Sequence, residues 1–89
     1  MHVRKVYHMR LREHFHRALI ETREHKEMSQ AQMAEKLAMD ERSYIDLDHG
    51  KTCCSAVTLA LFLIYVCDDV SKFLVGLKNA LEANWNKAA

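Results

Sequence analysis

Residues 29–50 read SQAQMAEKLAMDERSYIDLDHG, and the spacing of apolar and capping residues in this stretch decides the fold. Ser29 is placed to cap a helix, because its hydroxyl can accept from an amide two or three residues on. Met33, Ala34 and Leu37 then fall at i, i+1 and i+4, giving one narrow apolar face, with Gln32, Glu35 and Lys36 turned to water. After Ala38 and Met39, Asp40 can cap a second short helix in which Tyr44 and Leu47, at i and i+3, form the inward pair. Gly50 supplies the left-handed residue that ends it. Two helices of about eight residues joined by a three- or four-residue turn form a unit whose second member can enter a major groove.

The flanking segments extend the helical pattern. Before residue 29, Leu11, Phe15, Ala18 and Leu19 recur at helical spacing, joined by Val6, Tyr7 and Thr22. After Gly50, Ser55 is a third N-cap, opening an apolar segment over residues 56–67 broken only by Thr58. Apolar residues on every side predict a central core helix there. Asp68 and Asp69 interrupt the run and suit the positive end of a fifth helix. Along that helix Val70, Phe73, Leu74, Leu77, Leu81 and Trp85 form a stripe at spacings of three and four.

Composition agrees. Eighty-nine residues with 49% hydrophobic content suit one domain over 1–89 with one core. No proline and only two glycines favour long helices over strands, so the expected class is all-α. The apolar run 56–67 is much shorter than the roughly 20 residues of a membrane span. No charged-then-apolar leader opens the chain and the cysteines number three, so a cytoplasmic protein without membrane association is expected.

Formal charge is +1, unevenly spread. Residues 1–28 hold seven basic and four acidic side chains, with five of the six histidines. Residues 29–52 hold three basic against five acidic, a net −2 that is unusual in a nucleic-acid reader.

Residues 19–66 resemble the lambda-repressor-like, Xre-type helix-turn-helix domains of bacterial and phage regulators. The matching text at 19–51 is LIETREHKEMSQAQMAEKLAMDERSYIDLDHGK, with Ser29, Gln30, Met33, Ala34, Leu37, Leu47, Asp48, Gly50 and Lys51 in register. The resemblance implies a compact five-helix domain, a sequence-specific transcriptional regulator that binds double-stranded DNA; as one short module seldom binds tightly alone, a homodimer is expected. It implies that Gln30 touches a backbone phosphate, although by its position alone Gln30 reads as an ordinary solvated first-turn residue. It places base contacts at Glu41, Arg42 and Asp46, on the outward side of the third helix together with Ser43 and Ile45. Arg42 either offers its planar guanidinium to guanine O6 and N7 or pairs with a nearby carboxylate. Glu41 and Asp46 can accept from cytosine N4 and otherwise repel phosphate. His49 and Lys51 lie where the family grips phosphate, and Arg23 and Asp48 match its internal ion pair. Glu27 and Ala38 stand where the family often has glycine, Asp48 is one methylene shorter than the usual glutamate, and Cys54 occupies a frequent proline position.

Unspent apolar side chains near the carboxyl end, Leu77, Leu81 and Trp85, are candidates either for a dimer surface or for the intramolecular core. His49, Cys53, Cys54 and Cys67 lack metal-ligand spacing, so structural cysteines and no metal are expected. His2, His8, His14, His16 and His25 are read as a partly solvated, pH-sensitive face. Ser43 or Cys53 with His49 lacks an orienting third group, so neither catalysis, a cofactor nor a small-molecule substrate is expected. A competing function is a protein-binding module that keeps the scaffold and presents its acidic third helix to another protein.

Overall fold

The computed structural model describes residues 2–83, and every regular element among them is helical. Helix α1 spans His2–His25, α2 Gln30–Lys36, α3 Glu41–Asp48, α4 Ala56–Leu61 and α5 Val70–Glu82; α4 runs straight into a π-helical turn, Phe62–Val66. None of these helices is long and apolar enough to cross a membrane. The five expected helices are present, with α1 reaching further toward the amino end than its apolar pattern marked. Trp85 lies outside the described residues.

Among the described residues, ten buried apolar side chains form one cluster: Phe15 and Leu19 from α1, Met33, Ala34 and Leu37 from the α2 region, Tyr44 and Leu47 from α3, Phe62 and Val66 from the π turn, and Phe73 from α5. Phe62 is the hinge of this packing. Its ring meets Phe15 edge-on at 5.1 Å and Phe73 at 5.8 Å, arrangements each worth about 0.5–1.5 kcal/mol beyond simple burial.

The first three helices end in the same way. Each closes with a left-handed residue, Glu27 (φ 54°), Ala38 (φ 54°) and Gly50 (φ 75°). At each, the left-handed residue's amide bonds the carbonyl three back and the next amide reaches five back: Glu27 to Glu24 and Met28 to Arg23, Ala38 to Glu35 and Met39 to Ala34, Gly50 to Leu47 and Lys51 to Asp46. This double bond pattern satisfies carbonyls the helix leaves open. Only Gly50 adopts the conformation without a Cβ penalty; Glu27 and Ala38 bear about 1–2 kcal/mol each. Their apolar followers compensate, since Met28 and Met39 both pack on the core.

Start signals behave as expected at Ser29, Ser55 and Asp69, whose side chains accept from the amides of Gln32, Thr58 and Lys72. Gln32 returns the bond to the Ser29 amide at 2.8 Å, completing a reciprocal capping box. Asp40 sits at the N-cap of α3 with extended backbone, yet its side chain makes no capping bond.

The expectation of a fully enclosed helix over 56–67 is corrected. Only Phe62 and Val66 are buried, while Val57, Ile64 and Tyr65 are 67%, 68% and 64% exposed. The π turn, closed by Cys67 N to Phe62 O at 2.8 Å, brings Phe62 and Val66 inward together and leaves Ile64 and Tyr65 outside.

Candidate nucleic-acid interface

Helix α3 is anchored through one carboxylate. Asp48, 6% exposed, accepts at Oδ1 from Arg23 Nε (2.8 Å) and Tyr44 Oη (2.8 Å), and at Oδ2 from Arg23 Nη2 (3.3 Å) and Gln30 Nε2 (3.1 Å). A carboxylate offers about four lone-pair sites, and donors fill all four. Burial works against the charged form, but the Tyr44, Gln30 and Arg23 donors outweigh it and hold the Asp48 carboxyl below its ordinary value. Burial first, and then the hydrogen bond to Asp48 and its charge, raises the Tyr44 phenol well above its own. The main chain of residue 48 is held too: His16 Nε2 donates to its carbonyl at 2.7 Å. Helices α1, α2 and α3 thus converge on one residue at the carboxyl end of α3.

With Tyr44, Leu47 and Asp48 turned inward, the opposite side of α3 faces solvent. Glu41, Arg42, Ser43 and His49 are exposed, as is Lys51 just beyond Gly50. Arg42 forms no ion pair among the described residues, and its charge helps lower the carboxyl of Asp40 at the N-cap of the same helix, after the Ser43 hydrogen bonds. Asp46 is half-buried and, with Ser43, borders a small groove closed by Thr52, Cys53, Cys54, Ser55 and Thr58. The outward set therefore narrows to Glu41, Arg42, Ser43, His49 and Lys51.

Gln30 is half-buried and tied to Asp48, so it is not the solvated first-turn residue its position allowed. One amide hydrogen is committed to Asp48 and the other remains to serve an acceptor outside. Leu77 packs partly buried against the core and Leu81 is half-buried; the exposed apolar side chains of α5 are Val70, Leu74 and Val75.

The basic first segment is only partly available. The guanidinium of Arg10 donates to the carbonyls of Ala80, Leu81 and Ala83, closing the end of α5, and Lys26 donates to Val66 O (2.7 Å) and pairs with Asp68 (3.0 Å). Arg17 stays exposed, and Arg12 lies one turn before His16 on the same side of α1, toward the end of α3. The solvated histidine face is likewise corrected at two positions. His14 donates to Phe73 O at 3.2 Å with its ring 4.9 Å from that of Phe73, and His16 serves the α3 end. His8 and His25 are exposed.

The structure adds Tyr44 and His16 to the anchor. Both carried a signal in the sequence: Tyr44 stands four residues before Asp48, and His16 seven before Arg23, so each pair shares a helical face. The three thiols are free and half-buried, and among the described residues no group of histidine, cysteine and carboxylate side chains is arranged to hold a metal. No protein-family model, no curated protein and no solved structure matches the chain.

Proposed function

We propose that this protein is a lambda-repressor-like helix-turn-helix regulator acting in the cytoplasm, which inserts α3 into the major groove of double-stranded DNA as a homodimer. The observation carrying this reading is the one-sided anchoring of α3. Arg23, Gln30 and His16 grip its inner side and carboxyl end, and among the described residues Glu41, Arg42 and Ser43 on its other side stand exposed. A helix about 10–12 Å across with its side chains fits a groove about 12 Å wide, provided its own protein does not cover it.

In this reading Arg42 makes the guanine contact, worth about 1–3 kcal/mol of discrimination. Glu41 rejects sites that offer no donor. Lys51, Arg12 and the free amide hydrogen of Gln30 take phosphates, which set register and not sequence. Two copies would place their reader helices about 34 Å apart on successive groove faces. The test is selection from a random duplex pool with wild type and Arg42→Ala. A palindromic consensus with one guanine preference that disappears in the variant supports the proposal; no enrichment removes it.

The acidic residues of α3 favour one competing role, a module whose exposed Glu41 meets a basic protein. Ionic strength separates the two. DNA affinity falls with log salt by about −0.9 per phosphate neutralised, so a flat response would favour the protein partner.

A further inference from the structure

Cys53 and Cys54 are consecutive, and both line a small groove between Ser43, Asp46 and Leu47 of α3 and Ser55 and Thr58 at the start of α4. Both thiols are free and half-buried, and the Cys53 sulfur sits beside that of Cys54. The third cysteine, Cys67, borders a different groove, between α1 and α5. Two thiols therefore share one small space and the third is kept out of it. From this we propose that Cys53 and Cys54 form a dithiol site for a trivalent arsenical that carries one organic substituent.

Local geometry keeps the pair available. Consecutive Cα atoms stand about 3.8 Å apart, less than the roughly 4.4–6.8 Å usual across a disulfide, so the two cysteines resist closing on each other. A single bridging atom relieves that constraint, because two sulfurs bonded to a common centre stand farther apart than the about 2.05 Å of a direct S–S bond. Sulfur ligands select soft centres. A soft divalent metal asks for three or four protein ligands, and among the described residues no group of three histidine, cysteine and carboxylate side chains is arranged to hold one. Trivalent arsenic makes three bonds, so a centre that brings its own substituent asks the protein for two. The groove, about 230 Å³, lies below the roughly 300–1,000 Å³ of sites for drug-sized ligands and suits a small adduct.

The step balances without an oxidant. Two As–S bonds form, the As=O bond and both S–H bonds break, and the two thiol protons leave on that oxygen as one water; arsenic stays trivalent. It consumes thiols, the form in which Cys54 stands near neutral pH. The second As–S bond closes within the chain, so the chelate outlasts an adduct on one sulfur. Because Ser43 and Asp46 share the groove, the bound arsenical lies against the helix proposed to read DNA, although the site itself does not depend on that reading.

Phenylarsine oxide on the full native chain tests it. After one equivalent the protein is denatured, labelled with iodoacetamide and mapped by peptide mass spectrometry. Label should appear at Cys67 alone, against all three cysteines in untreated protein. Ethanedithiol should restore the missing label and excess glutathione should not. Sodium arsenite, which brings no substituent, should need at least about ten-fold more for equal protection. Cys53→Ala and Cys54→Ala should each weaken protection of the remaining thiol by at least about ten-fold, whereas Cys67→Ala should leave the site unchanged. Label at all three cysteines after treatment, protection lost on Cys67→Ala, or arsenite equal to phenylarsine oxide would overturn the proposal. The wild-type labelling decides even if a variant fails to fold, and failure of the chain to select a duplex would leave this result standing.

Discussion

His16 donates through Nε2 to the main-chain carbonyl of Asp48 at 2.7 Å, so residue 48 is gripped at its backbone by one residue of α1 and at its carboxylate by another, Arg23. Those two donors stand two helical turns apart, and α3 cannot rotate about its axis without breaking one of them. Which face of α3 meets solvent is therefore set by a polar lock as well as by the burial of Tyr44 and Leu47. The lock makes the first prediction possible.

Replacing Arg23 by Ala removes two of the four donors to a buried carboxylate and should cost about 2–4 kcal/mol in urea melts, somewhat below a fully enclosed pair because Arg23 retains 21% exposure. Arg42→Ala, at an exposed position, should change stability by no more than about 0.5 kcal/mol. Equal midpoints for the two variants would remove the lock as a stabilising element.

The pH profile should have two limbs traceable to this site. Asp48 has a folded value below its ordinary 3.8, so its contribution is complete above that value and fades as pH falls through the folded one. Tyr44 has a folded value raised above its ordinary 10.0, so its contribution is present below 10.0 and is lost as pH climbs beyond it. Asp48→Asn should flatten the acid limb and Tyr44→Phe the alkaline one, each read from stability against pH; unchanged limbs would place the titrating groups elsewhere.

Ala38→Gly should raise stability by about 0.5–1 kcal/mol, because relief of the left-handed strain exceeds the added chain entropy of glycine. Gly50→Ala should lower it, since the new Cβ would meet that same strain at φ 75° and lie 3.3 Å from His16 Cε1. Thermal melts of both variants decide; a destabilised Ala38→Gly would mean that the Ala38 backbone is not under strain.

Gly76 lets α5 approach the His14 ring, which a Cβ there would meet at 2.8 Å. The ring cannot swing away freely, being bonded to Phe73 O and packed at a 52° tilt against the Phe73 ring. Gly76→Ala should therefore cost about 1–3 kcal/mol, with much of the loss recovered in the His14→Ala background. Strictly additive effects in that double-mutant cycle would deny the contact.

Burial, with Cys53 beside it, pushes the Cys54 thiol up to about 12, so near neutral pH it carries almost no thiolate. In native protein iodoacetamide should label Cys54 far more slowly than denatured protein does, as read by peptide mass spectrometry. Rapid native labelling at Cys54 would contradict that protonation state.

The helix inventory was legible because it depends on short-range spacing. Ser29, Ser55 and Asp69 cap by side chains within three residues of the amide they serve, and Met33, Ala34 and Leu37 share a face by helical geometry alone. The outward placement of Arg42 followed likewise, once Tyr44 and Leu47 were known to turn inward. Apolar composition was a poorer guide at residues 56–67, where no pattern distinguished enclosed from exposed side chains and a π turn divided them.

The amino-acid order alone determined where α2, α4 and α5 begin and which side of α3 is apolar, since caps and periodicity act over a few residues. Tertiary structure alone decided that Gln30 joins the Asp48 carboxylate while His16 holds the residue 48 carbonyl, and that Arg10 is spent on the end of α5. It also decided that Ile64 and Tyr65 remain uncovered. Those outcomes depend on how separate helices pack in space, and a side chain's partner across that distance is not encoded by its neighbours in the chain.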